Sequence, residues 1–282
     1  MSDLIDVWDI ETFDSSLIDV LQQSADLIVD YFKSEHYILV SHDLDNSPDR
    51  PVMRPSNLYA GAYYALLDTV SSMMSQRLIR GFHYTRMTDE EVAELLRTGI
   101  HLSTPETLRL RLDGLVASGN LTADIANQLY SKSPFHGTQR AARCGKFWMV
   151  SHPVRVDNGG VVPLLEHWGG EVASFWNNDA IHLELLAKLG KGRILEIAAP
   201  LNITCSAHSA STAVIAAFGR SRGATPEKSA FDFYVTAPLT PAAVRAVHTD
   251  DEETFVNMGK TYPARYVDID IARQKEISGL DA

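Results

Sequence analysis

The chain has 282 residues, 45% of them hydrophobic and 22% charged, which suffices for one large domain or a catalytic domain with a helical extension. A formal net charge of -11 repels phosphate backbones and anionic lipid surfaces, so a nucleic-acid substrate would need a local basic patch. Cys144 and Cys205 stand alone, which excludes a disulfide framework and a CxxC site, and no stretch reaches the ~18 apolar residues of a membrane span. With an acidic opening, MSDLIDVWDIETFD, unlike a signal peptide, the expectation is a soluble, cytoplasmic protein with no membrane partner.

Leu17, Leu21, Ile28 and Phe32 recur at helical spacing over residues 15 to 33, behind a cap at Asp14 or Ser15. A turn-rich segment, HDLDNSPDRPVMRPSN, precedes a second helical run at about 58 to 75. Residues 1–76 therefore read as a helical N-terminal extension. From Arg77 the aromatic and branched residues of RLIRGFHYTR predict a strand. Thr88 and Glu91 form a capping-box pattern for a helix closed by Gly99, and IHLST follows as a second short strand. Two helices over 105 to 132, opened by Pro105, read as an insertion at 105–133. Strands are predicted at 146 to 152, 170 to 176, 193 to 201 and 231 to 239, with a helix at about 179 to 189. The irregular mixture argues for an α+β fold rather than a doubly wound sheet, with 77–282 as the second domain.

The segment GFHYTRMTDEEVAELLRTGIHLST gathers a histidine, a tyrosine, a threonine and an arginine at a strand end beside a helix start. Here the chain resembles the ADP-ribosyltransferase superfamily, in the H-x-T branch that includes poly(ADP-ribose) polymerases, RNA 2′-phosphotransferases and DNA-targeting toxins. Those proteins open their core with a strand bearing H-x-T or a similar H-G motif, then a helix ending in Gly, then a strand. The resemblance covers roughly residues 78 to 250. It implies a split, mixed or antiparallel β-sheet core with inserted helices, and NAD as the substrate. By the same resemblance His83 and Thr85 bind the nicotinamide ribose and amide, and Tyr84 belongs to the cofactor site beside them. In place of the family's G-x-Y-F strand, whose aromatic stacks on nicotinamide, GKFWMVSH offers Phe147 and Trp148, a departure from the family's pattern. Its closing strand carries a catalytic glutamate where this sequence has Asp232 in FDFYVTAPL, one methylene shorter.

A second acid competes for that role. Glu171 follows Gly169 and Gly170 in EHWGGE, where a glycine pair permits close approach of a ligand, and Trp168 offers a flat apolar wall. Breaking the nicotinamide–ribose bond builds oxocarbenium charge, which a carboxylate on the ribose hydroxyls stabilises, while a histidine donating to the ribose fixes the geometry. Arg86 is the candidate for neutralising the pyrophosphate, and Ser103 completes the set of cofactor-binding candidates. Arg140, Arg143 and Lys146, with Arg109 and Arg111, form the best candidate basic patch.

Each residue also has a structural reading: His83 and Tyr84 as satisfied strand groups, Trp148 and Trp168 as core aromatics, Asp232 on the solvent face of an edge strand, Ser103 with Thr104 as the cap before Pro105. HDLD at 42 to 45 and EHWGGE lack metal-ligand spacing, SAHSAS at 206 to 211 reads as a polar loop, and Walker, GxGxxG, HExxH and GxSxG motifs are absent. The expectation is an NAD-dependent ADP-ribosyltransferase, toxin or defence effector acting on an unidentified protein or nucleic acid and open to an inhibitor or antitoxin partner. The alternatives are a non-catalytic NAD- or ADP-ribose-binding or interaction module on the same scaffold and, disfavoured by the acidity, an RNA-processing phosphotransferase.

Overall fold

The structure, a computed structural model, describes residues 4–43, 52–175, 177–226 and 230–260. In chain order the described elements are β1 (Leu4–Ile5), α1 (Ser15–Gln23), α2 (Ala25–Ile38), α3 (Ala60–Met74), β2 (Leu78–Met87), α4 (Asp89–Thr98), α5 (Pro105–Ala117) and α6 (Ala123–Lys132). They continue with α7 (Arg140–Arg143), β3 (Phe147–Val150), α8 (Val162–Glu166), α9 (Ala180–Ala187), β4 (Lys191–Pro200), α10 (Ala207–Ser221), β5 (Asp232–Val235), β6 (Val244–Thr249) and α11 (Glu253–Val256). This is the mixed helix-and-sheet composition of an α+β protein. Residues 44–51 of the predicted turn-rich segment lie outside the described residues.

The chain divides into two compact units. The first runs to Leu78 but also takes in Ser206–Phe231, so it extends beyond the N-terminal stretch 1–76. The Asp14 carboxylate accepts from the Leu17 amide to open α1, and Arg77 grips the same carboxylate at 2.6 Å. Leu17, Leu21, Ile28 and Phe32 are buried as their spacing predicts, and Tyr31 stacks on Tyr63 of α3 at 3.6 Å. Alongside them lies α10, with every residue from Ala213 to Gly219 buried; the Phe32 ring sits so close to Gly219 that a Cβ there would meet it at 2.9 Å. The expected polar loop at 206 to 211 is instead the start of this helix. Helix α10 is rich in Ala and Ser and is buried on several sides, so it shows little of the apolar–polar contrast that betrays a surface helix.

In the second unit the strands order as β5-β3-β2-β4-β6, with β2 central. β3 pairs antiparallel with β2 and β5, and β4 pairs antiparallel with β6. Thr88 and Glu91 close the expected capping box on α4, and Gly99 ends it at φ 91°. Predicted strand 100–104 reduces to two isolated bridges, Ile100 with Leu239 and Ser103 with Lys146. Helices α5 and α6 bury Leu108, Leu112, Leu115, Ala126 and Leu129 in one cluster with Trp168 and Leu186. Predicted strand 170–176 is corrected to a 3-10 turn, Gly170–Val172, because Gly169 and Gly170 both adopt positive φ, at 79° and 48°, which no extended strand accommodates; Trp176 is outside the described residues. No helix among the described residues is long and apolar enough to cross a membrane.

Candidate functional site

Side chains of a strand alternate between faces, and antiparallel partners share a face, so the ladder assigns every candidate on the sheet. Phe82 pairs with Val150, and Val150 with Asp232, which puts these three on one face. Arg80, Tyr84 and Arg86 share it by alternation, and Trp148 joins through its pairing with Tyr234. His83 and Thr85 point the other way, together with Gly81, whose missing side chain leaves room for Phe233 and Met149. The sheet therefore separates His83 from Asp232, and separates the pair His83 and Thr85 from Tyr84 and Arg86.

The contact between β2 and β3 holds one register pair, Phe82 with Val150. Beyond it the His83 imidazole takes the place of a ladder partner, its Nδ1 lying 2.8 Å from the Trp148 carbonyl oxygen. A carbonyl only accepts, so Nδ1 carries the proton and Nε2 presents a lone pair. Burial pushes the imidazole down to about 4, with the Arg111 charge acting in the same direction and the Trp148 hydrogen bond opposing. The Phe147 ring lies against it, centroids 4.3 Å apart and tilted by 37°. Phe147, rather than Trp148, is thus the aromatic at the imidazole. The expected donor to a ribose hydroxyl is, in this tautomer, an acceptor.

Four other candidates are engaged in the fold. Trp168 is fully buried, and its Nε1 donates to Glu91 at 2.8 Å, so it is a core side chain rather than a wall for a ligand. Burial works against the Glu91 charge, but Arg111, the Thr88 amide and the Trp168 indole outweigh it and hold the carboxyl below its usual range. Tyr84 is buried and its hydroxyl donates to the Val154 carbonyl at 2.8 Å while accepting the Val154 amide at 2.7 Å. Arg86 donates to the carbonyls of Leu189 and Leu165 and stands 4.0 Å from Asp250, so its charge is occupied. Ser103 bridges to Lys146 through its backbone, beside the capping box that Thr104 forms with Thr107.

The two candidate acids differ. Glu171 forms an ion pair with Arg143 at 2.9 Å, and the Arg143 guanidinium lies 5.9 Å from the Trp148 ring, whose Nε1 donates to Ala142. The turn at Gly170 is tied to the end of β2, where the Gly169 amide donates to the Arg86 carbonyl at 3.3 Å. The Glu171 turn is thus fastened to the Arg86 end of β2, and its carboxylate is linked through Arg143 to Trp148, on the face opposite His83. Asp232 is exposed on β5, and partial burial of its carboxyl raises its pKa. Of the basic residues of TQRAARCGK, Arg143 serves Glu171 and the Lys146 ammonium donates to the Ala141 carbonyl and lies over Tyr234, while Arg140 is exposed at the start of α7. Arg109 pairs with Asp113, and Arg111 with Glu91 while stacking over Trp168.

Sequence reasoning missed a second cluster on the Phe82 face. Arg80 stands 3.7 Å from Glu196, Glu196 accepts from His248 at 3.1 Å, and His248 contacts Thr254 at 3.0 Å; Arg80, Glu196 and Thr254 also line a solvent-open cavity of about 230 Å³. Its members come from four separate elements, and no short motif announces them. Among the described residues no group of three or more His, Cys, Asp and Glu side chains could hold a metal ion. No family model, curated protein or solved structure matches the chain.

Proposed function

We propose that this protein is an NAD-dependent ADP-ribosyltransferase whose substrate enters where β2 and β3 part. The observation that carries the reading is the imidazole of His83 at that parting, fixed through Nδ1 and backed by Phe147, which leaves Nε2 as the nitrogen to accept from a ribose hydroxyl. Thr85, two residues along the same face, offers a hydroxyl for the nicotinamide amide. Glu171 is taken as the acid because its turn is tied to the Arg86 end of β2 through the Gly169 amide, beyond the paired strands, whereas Asp232 projects from the ladder itself on the face opposite His83. In this scheme NAD exchanges ribose hydroxyls for Arg143 on the Glu171 carboxylate. Cleavage releases nicotinamide with the bonding electrons, and Glu171 stabilises the oxocarbenium charge until the acceptor's nucleophile adds to the anomeric carbon. The acceptor is a protein side chain or nucleic acid. Nicotinamide release from NAD in the presence of a cell lysate tests the reading. Wild-type protein is expected to be about a hundredfold faster than Glu171→Ala or His83→Ala, by the usual worth of one transition-state contact, and equal, background rates in all three would sink it.

One observation favours a second reading. Glu171 is held by the full grip of Arg143, at 3.0 and 2.9 Å, which suits a scaffold that binds NAD or ADP-ribose without turning it over. Calorimetric binding without nicotinamide release distinguishes this module from the enzyme.

A further inference from the structure

The Thr254–His248–Glu196 cluster lies on the sheet face opposite His83 and is independent of the reading above. Glu196 on β4 and His248 on β6 share that face, since Glu196 pairs with Ala246 and Ile194 with His248. The Glu196 carboxylate accepts at 3.1 Å from His248 Nε2, so that nitrogen carries the proton. A neutral imidazole then has its lone pair on Nδ1, which lies 3.0 Å from the Thr254 hydroxyl, and the hydroxyl must donate to it. Glu252 is the other acceptor near this hydroxyl, at a weaker 3.5 Å. The threonine oxygen is thereby left with its lone pairs directed away from its base. Arg80 and Asn257 line the same cavity with Glu196 and Thr254, while Phe82 and Met258 give it an apolar side. At about 230 Å³ it is smaller than the ~300–1,000 Å³ of drug-sized pockets and suits a short acyl group.

We propose that Thr254, His248 and Glu196 form a nucleophile, base and orienting acid for hydrolysis of small esters, a second activity of this chain. Thr254 Oγ1 bonds to the ester carbonyl carbon as its proton passes to His248 Nδ1, and Glu196 faces the resulting imidazolium through Nε2–H. Arg80, the cationic side chain on the cavity, answers the oxyanion. Collapse breaks the ester C–O bond, and the departing alcohol takes the proton from His248. Water, deprotonated by His248, then cleaves the acyl-threonine, releasing a carboxylic acid and restoring the hydroxyl.

The full-length protein given p-nitrophenyl acetate tests this. The expected result is a burst of p-nitrophenol and one acetyl group on the peptide carrying Thr254. Thr254→Val and His248→Gln are expected to abolish the burst and lower turnover at least about a hundredfold, and Thr254→Ser to keep both. NAD consumption is expected to be the same in Thr254→Val as in wild type. Equal ester hydrolysis by wild type and Thr254→Val, or acetyl confined to another residue, would overturn the proposal.

Discussion

His83 holds a structural position and is also the residue on which the proposed chemistry depends. Its Nδ1–H replaces a backbone donor for the Trp148 carbonyl, and its pKa is pushed down to about 4, against an ordinary 6.5. In the unfolded chain the ring protonates as pH falls through 6.5, while the folded ring resists until about 4, so His83 withdraws stability across that window. Urea titrations from pH 7 to 4 are expected to lose roughly 3 kcal/mol to this group, and His83→Phe to show a shallower slope. An unchanged slope would mean that the ring is freely hydrated. In the proposed reaction NAD binding uses neutral Nε2, and it is expected to be flat from pH 8 to 6. Glu91 gives a second residue-scale expectation: replacing it with Ala orphans both Arg111 and the Trp168 indole, at a cost of about 2 to 4 kcal/mol in chemical denaturation. A cost below 0.5 kcal/mol would show that the network contributes little.

At the scale of elements, the helices announced themselves where local chemistry decides. The Thr88–Glu91 box and the opening turn at Pro105 sit at the ends of α4 and α5 as their patterns predict, since a cap is made by residues three apart in sequence. Strand 170–176 was not legible, because alternation in GEVASFW is weaker information than two successive glycines in left-handed geometry. The site was legible only in part. His83 and Thr85 are singled out by the resemblance of their strand to an H-x-T motif, but whether an acid faces them depends on register between strands distant in sequence, and that register sets Asp232 on the other face. The Thr254 cluster was invisible for the same reason. Gly99 is the element-scale test: a Cβ there would overlap the Leu239 carbonyl oxygen, and φ is 91°. Gly99→Ala is expected to cost more than about 2 kcal/mol by thermal or urea unfolding. A cost near zero would mean that the bridge between Ile100 and Leu239 is dispensable.

Across the whole molecule, charge and chain connectivity cut the protein differently. The first 78 residues carry thirteen acidic side chains against four basic ones, so they hold most of the net charge of -11. Asp14 is one of the thirteen, and the hydrogen bonds from Arg77, chiefly, hold its carboxyl well below the usual range. That contribution is present above pH ~4 and is lost as pH falls below it, so Arg77→Met is expected to make unfolding of this unit less sensitive to acid. The unit is also discontinuous. Removing residues 1–76 strips α10 of its neighbours α2 and α3 and bares Val214, Ile215 and Phe218. The truncated chain is expected to aggregate or bind a hydrophobic dye, read by gel filtration and fluorescence, whereas a monodisperse product would mean that the helix finds other cover.

That discontinuity sets a schedule for the ribosome. The opening helices emerge with their apolar stripes ready, but α10 follows only after about 130 further residues, which is roughly 6 to 25 seconds at translation rates of ~5–20 residues per second. For that interval Phe32 and Tyr63 have each other and Tyr31 for cover, and the Phe32 ring waits for Gly219 before its site closes.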